Sequence, residues 1–157
     1  MPMIEIRKAK AKDIPAVVEL AMDLVRYHKF DSYLDPSKNV RSAYAKYFRQ
    51  SIRSRKKLLL VAETDGRIMG FVLGEILKMP PIFKIRTAGY VRDMLVAERF
   101  RRRGVGKLLL KSLFKWFKGK GIKHVELHVH IMNDIGKKAW ETYGFRTFLL
   151  KQRIKLK

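Results

Sequence analysis

The chain has no cysteine. That excludes a disulfide framework, a thiolate metal site and a cysteine nucleophile. Side-chain amides are almost as scarce: two asparagines, Asn39 and Asn133, and two glutamines, Gln50 and Gln152. Few thermolabile residues beside abundant lysine point to a thermophilic source, which accounts for part of the lysine without any ligand. Acids are short as well, 14 Asp and Glu against 36 Lys and Arg, for a formal net charge of +22. Self-repulsion on that scale opposes compaction and draws in anions. Nucleic acid, a phosphorylated cofactor and an acidic protein surface all remain open as partners. Long apolar runs are missing too. The longest strictly apolar run, Leu58 to Ala62, falls far short of the ~20 residues of a membrane span. The opening Met-Pro-Met-Ile-Glu-Ile-Arg has no hydrophobic stretch before its charges, so no signal peptide is visible. The expected setting is the cytoplasm, with no membrane partner.

What is present is enough for a folded core. The 157 residues fit one domain, 1–157, on the usual prior of ~100–200 residues. The apolar fraction is 47%, with Phe 9, Tyr 6 and Trp 2, which excludes a disordered chain. Met3 to Lys8 alternates as a strand does. Asp13 is placed to cap a helix whose first turn tolerates Pro15 and whose apolar positions recur to about Phe30. Asn39 to about Arg55 reads as a second helix, with Tyr44, Tyr47, Phe48 and Ile52 on its apolar stripe. Asp65-Gly66 between two apolar runs, Leu58–Glu63 and Ile68–Leu77, predicts a hairpin. Thr87 to Val96 reads as a strand and Val105 to Phe117 as an amphipathic helix. That helix is wet on Lys107, Lys111, Lys115 and Lys118, and Gly119 and Gly121 stop it. Lys123 to Ile131 alternates as a strand. A short helix from about Asp134 to Thr142, a strand over Phe145–Leu150 and a basic tail complete the chain. The fold class is α/β: a single-domain, mixed, partly antiparallel sheet flanked by helices.

The most informative segment is Arg101-Arg102-Arg103-Gly104-Val105-Gly106-Lys107, which follows a strand and opens a helix. Helix N-termini expose unpaired N–H groups and carry partial positive charge, so three arginines and a lysine there are unfavourable without an anion. With a diphosphate they become complementary: glycine admits the backbone, amides point at phosphate and arginine neutralises it. It is no P-loop, because Leu108 follows Lys107 where Ser or Thr would bind magnesium. It is no dinucleotide fingerprint either. The third glycine is absent, and Glu126 is the only acid about 20 residues further on. The bland alternative is a solvated charge run at a glycine turn.

Arg101-x-x-Gly104-x-Gly106, after Asp93-Met94-Leu95-Val96, resembles the acetyl-CoA signature of the GNAT superfamily of N-acetyltransferases. The resemblance covers nearly the whole chain. Arg7-x-Ala9-x-x-x-Asp13 is similar to the family's opening strand-to-helix passage. The Asp65-Gly66 hairpin falls where the family pairs its second and third strands. Asn133 followed by Gly144-Phe145 resembles its last motif. The resemblance implies a GNAT-like fold whose fourth and fifth strands splay apart around acetyl-CoA. It implies that Met94, Leu95 and Val96 pair with the pantetheine arm. Arg101, Arg102, Arg103, Gly104, Val105, Gly106 and Lys107 would wrap the pyrophosphate, and Asn133 would contact the pantetheine region. It implies direct attack of an amine on the thioester, without an acyl-enzyme.

That chemistry needs a base for the amine, donors for the thioester oxygen and a proton for the leaving thiolate. Among the few carboxylates Asp93 is the first choice for base, since it precedes the cofactor-binding stretch. Glu75 and Glu98 follow. A salt bridge to one of the many arginines is the competing reading. The family often places a tyrosine acid seven residues after the asparagine. Here that position is Trp140, which cannot act as an acid. Tyr143, three residues further on, is the substitute, against a packing role.

His124, Glu126, His128 and His130 share one face of the expected strand. A zinc site is weaker than a polar strand side there, because a strand spreads those side chains apart and no second-shell partner is evident. No metal is expected. Ten Lys and Arg and no acid lie between Arg99 and Lys123, and eight and no acid between Pro36 and Ala62. Nonspecific RNA or DNA binding at low salt follows from such charge. The expected function is acetyl transfer from acetyl-CoA to an amine-bearing acceptor, a protein N-terminal or lysine amine or a small molecule. The alternative is a catalytically degenerate module that binds RNA or the ribosome through its basic surface. The C-terminus through Ile154 could pair across a partner, the route to a homodimer.

Overall fold

The alternating start of the chain forms β1, Glu5–Lys8, and the periodic stretch after it forms α1, Ile14–Tyr27. α2 covers Val40–Arg53. Three long strands follow: β2, Lys57–Thr64, β3, Arg67–Lys78, and β4, Thr87–Val96. α3 spans Val105–Gly119, β5 is the two-residue Val125–Glu126, and α4 is Asp134–Thr142. The computed structural model describes residues 3–27 and 32–157. The expected last turn of α1, to Phe30, lies outside the described residues. The chain divides into Met1–Leu127 and His128–Lys157.

In Met1–Leu127 the strands lie in the order β1-β2-β3-β4-β5. The first four are antiparallel to their neighbours and β5 runs parallel to β4. β2 and β3 join through Asp65 and Gly66, at φ 48 and 74 degrees. Two left-handed residues make the turn whose twist matches the strands it joins. Alternate residues then sort to the two faces. Leu59, Val61, Phe71, Leu73 and Leu95 pack with Ile14, Val17 and Phe48 of α1 and α2. The other face takes α3. A side chain at Gly74 would meet Leu113, and one at Gly89 the Phe117 ring. Both glycines exist to let that helix approach.

Asp13 does not cap α1. Arg7 Nη1 and Nη2 donate to its carboxylate at 2.7 and 2.9 Å, and the Lys10 N–H donates at 2.7 Å. Those donors hold the carboxylate toward β1, away from the first turn of α1. In His128–Lys157, α4 matches its expected span. The strand expected over Phe145–Leu150 does not form. Taken by itself this unit holds no second strand, and an unneighboured strand leaves its N–H and C=O groups unpaired. The alternating strand expected from Lys123 to Ile131 contracts to Val125–Glu126.

Candidate active site

The arginine-glycine segment forms the entry to α3. Arg102 and Gly104 are both left-handed, at φ 60 and 77 degrees. A Cβ at Gly104 would meet nothing, so glycine is there for its backbone angle and not for space. Among the described residues, no N–H from Arg102 to Lys107 donates to a backbone acceptor, and the first intrahelical bond is Leu108 N–H to Gly104 O at 3.0 Å. Arg101, Arg102, Arg103 and Lys107 are exposed, whereas Val105 and Gly106 are buried. Arg101 Nε donates to Val96 O at 3.0 Å, tying the loop to the end of β4. A left-handed arginine is costly unless it serves something. Six amides without a backbone acceptor, on a segment that carries four exposed cations, suit a diphosphate.

β4 itself supplies the second feature. It pairs with β5 only at Gly89 and Tyr90. From Val91 onward it has no strand neighbour on that side within Met1–Leu127, so Met94, Leu95 and Val96 lie on an open edge. The ladder between β4 and β5 ends at Tyr90 and Glu126.

The third feature is a bulge. Gly74 pairs with Val91 but Leu73 pairs with Asp93, so Arg92 is an extra residue in β4. In an unbulged ladder Asp93 would stand opposite Val72, on the α3 face. The bulge turns Asp93 and Leu95 onto the α1–α2 face. Tyr90 and Lys57 share that face, because both pair with Glu75. A polar patch therefore interrupts an otherwise apolar surface.

α2 roofs this patch with two tyrosines. Tyr44 stacks on Phe48 with centroids 5.5 Å apart, and Phe48 meets Phe71 edge-on at 5.5 Å, which fixes the helix. Burial and then the Asp93 charge push the Tyr44 and Tyr47 phenols up to about 12. Tyr47 also feels Arg92 and Glu75, and Lys57 Nζ lies 4.5 Å from its ring centroid. Arg92 Nε donates to Glu75 Oε2 at 2.5 Å, and its guanidinium lies 4.5 Å from the Tyr90 centroid. Burial works against the Arg92 charge, but the Glu75 hydrogen bond and charge, with Tyr47 and Tyr90, together outweigh it, so its pKa is raised. Glu75 is thus engaged by a guanidinium, and the Asp93 charge acts on both tyrosines. An open groove of about 640 Å³ between α1 and α2 is lined by Ile14, Glu19, Arg41 and Arg49 among others, and by none of the candidate residues.

In His128–Lys157, Asn133 caps α4, its Oδ1 accepting from the Gly136 N–H at 2.9 Å. A Cβ at Gly136 would lie 2.4 Å from Asn133 Nδ2, so glycine keeps that cap in place. Tyr143 and Phe145 both meet the Trp140 ring edge-on, at 6.0 and 5.5 Å. His130 Nδ1 accepts from the Met132 N–H at 3.1 Å. Among the described residues no three His, Asp or Glu side chains gather as a metal site, and no helix is long and apolar enough to cross a membrane.

Sequence reasoning missed Tyr47, Tyr44 and Arg92 as site residues. The two tyrosines were indistinguishable from Phe48 on an apolar helical stripe. The bulge has no sequence mark, and Arg92 is one of many arginines. A signal was present in β4, where Arg92-Asp93 breaks an apolar run.

A family model described as Acetyltransferase (GNAT) family matches residues 21–145. An N-alpha-acetyltransferase of Sulfurisphaera tokodaii is 26% identical over 108 residues, 64% of this chain and 63% of that protein. The chain thus spans less than two thirds of that relative's length. Among solved structures, a mutant of the BH1408 protein from Bacillus halodurans superposes with a TM-score of 0.88 at 22% identity, over 97% of this chain and 99% of that one. A predicted acetyltransferase from Clostridium acetobutylicum, solved with acetyl-CoA, gives a TM-score of 0.81 at 20% identity over 98% and 96%.

Proposed function

The chain belongs to the GNAT acetyltransferase family, and from that premise we propose that residues 1–157 act as an N-acetyltransferase on a primary amine. Acetyl-CoA, the family's cosubstrate, supplies the thioester whose C–S bond breaks as the acceptor nitrogen bonds the acetyl carbon. The amides of Arg102 to Lys107 and the side chains of Arg101, Arg102, Arg103 and Lys107 hold its pyrophosphate. The open edge of Met94, Leu95 and Val96 offers backbone groups to its pantetheine arm, and Asn133 contacts the same region. Asp93 takes the proton that the attacking nitrogen sheds. Tyr143 is the assigned proton donor to the leaving thiolate.

The observation that carries this reading is the set of unpaired amides beneath four cations at the entry to α3, beside an open strand edge. Aspartate 93 earns the base role through the bulge. It faces two phenols that stay protonated through the neutral range, since both titrate near 12. The charge of +22 disfavours polycationic acceptors by repulsion. It favours amines set among acids, such as a protein N-terminus followed by Asp or Glu. The relative that acts on alpha-amines supports the same choice.

The first test is a thermal melt with millimolar acetyl-CoA, repeated with ATP and at raised salt, followed by thiol release with amine acceptors. A ligand bound only by the folded state adds about 2.7 kcal/mol at a hundredfold excess over Kd. A salt-resistant shift particular to acetyl-CoA, with thiol release on adding an amine, is expected. An equal ATP shift that salt abolishes would leave only a basic patch. Salt-insensitive turnover of a polycation would overturn the acceptor assignment.

A further inference from the structure

Arg92 is held from two sides and left open on a third. Its Nε is taken by Glu75 at 2.5 Å and its plane lies against the Tyr90 ring at 4.5 Å. Among the described residues its two terminal nitrogens make no hydrogen bond, and its side chain is 38% exposed. An arginine needed only for an ion pair on a sheet surface gains little from such pinning. Pinning does matter for a fork that must receive a planar anion, since the side-chain entropy is already spent before the anion arrives. The position is also particular. Arg92 is the bulge residue itself, adjacent in sequence to Asp93, and Tyr47 feels both charges. The same backbone irregularity that aims the carboxylate presents the guanidinium beside it.

We infer that Arg92 reads a carboxylate lying next to the acceptor amine, so that the enzyme selects an alpha-amine followed by an acidic residue. This rests on the acetyltransferase reading and adds the residue that sets its specificity. The two charges divide the acceptor between them: Asp93 faces the nitrogen and Arg92 the neighbouring carboxylate. Glu75 acts on the acceptor only through Arg92, as a positioning residue. A long-range effect of +22 would favour acidic acceptors too, but salt screens it within about 10 Å at 0.1 M, whereas a two-pronged contact persists.

The experiment compares two C-terminally amidated tetrapeptides, Ala-Glu-Ala-Ala and Ala-Gln-Ala-Ala, by kcat/KM at low salt and at about 0.5 M salt, where screening is nearly complete. The wild type is expected to favour the Glu peptide by about tenfold to a hundredfold, the worth of a hydrogen bond to a charged group. That preference is expected to survive salt. In Arg92→Gln the ratio falls to within about twofold of one. In Arg92→Lys it falls part of the way, because an ammonium keeps the charge but not the fork. Lys46→Gln removes one exposed α2 charge and keeps the wild-type ratio. A wild-type ratio near one overturns the inference, as does an Arg92→Gln ratio equal to the wild type. Melts with CoA and each peptide separate the two claims. A Glu-peptide shift that Arg92→Gln abolishes, without turnover, sustains Arg92 as the reader and sinks the acetyltransferase reading. Turnover of both peptides at equal rates does the reverse.

Discussion

Two charged clusters sit on this sheet and use arginine in opposite ways. At the β1 end, Arg7 spends every donor group. Nη1 and Nη2 bind Asp13, and Nε donates to Glu63 at 2.7 Å, with a second, shorter contact from Nη2 to the same Glu63 oxygen. Its side chain is 18% exposed and that of Asp13 is 5%. The Asp13 bonds hold the Arg7 charge more firmly than usual, and Arg7 in turn holds the Asp13 carboxyl below its ordinary range. At the β4 bulge, Arg92 spends one donor and keeps its terminal nitrogens, and Asp93 faces phenols. The closed cluster joins β1, the following turn and β2. The Arg92 fork has capacity left over, which is what a binding surface requires and a structural clamp does not.

The contrast predicts opposite failures. Asp93→Asn should produce the largest change, a fall of about 10²- to 10⁴-fold in kcat, read by thiol release, with the melting temperature almost unmoved. A comparable loss of stability would make Asp93 a structural residue and erase the distinction. Arg7→Ala should do the converse. It strands a buried carboxylate, at a cost of about 3–5 kcal/mol, measured by denaturant unfolding, while the folded fraction keeps its kcat.

Packing against the far face comes next. A Cβ at Gly89 would lie 2.9 Å from the Phe117 ring, which is buried. Gly89→Val should therefore lose about 1–3 kcal/mol by overpacking, without raising KM for acetyl-CoA. Gly104→Ala should act mainly at the cosubstrate. Its Cβ meets nothing, but φ is +77 degrees, a strain of about 1–2 kcal/mol, expected as a several-fold rise in KM for acetyl-CoA. An unchanged KM would detach the loop from the pyrophosphate.

The pH response should separate the clusters with the smallest signal. Asp13 has a lowered folded pKa, so its stabilisation is present above the ordinary carboxylate value of about 3.9 and is lost as pH falls through the folded value. Arg7→Ala should flatten that acid limb in melts taken below about pH 4. Tyr44 and Tyr47 have raised folded values, about 12. Their contribution is present below the ordinary phenol value of about 10 and fades as pH rises through the folded one. Asp93→Asn should lower both folded values, seen as an earlier phenolate absorbance in alkaline titration.

Local signals in the sequence determined most of the elements. Asp65-Gly66 marked the hairpin because two left-handed residues are needed there. The periodicities of residues 17–25 and 105–117 marked the helices α1 and α3, and the Arg101–Lys107 run marked the glycine turn that opens α3. The span of β4 was legible to the residue, and so was that of α4.

Other features were decided only by the assembled sheet. The faces of Asp93 and Arg92 depend on a one-residue slip between β3 and β4, a property of pairing that neither strand encodes alone. Tyr44 and Tyr47 became candidate site residues only when the sheet set acids beneath an apolar helix stripe. Asp13 changed from cap to ion-pair partner because Arg7, on a different element, outbid the helix for its carboxylate. Phe145–Leu150 reads as strand-like in residue type, yet a strand exists only where a neighbour takes up its backbone groups, and that is settled in three dimensions.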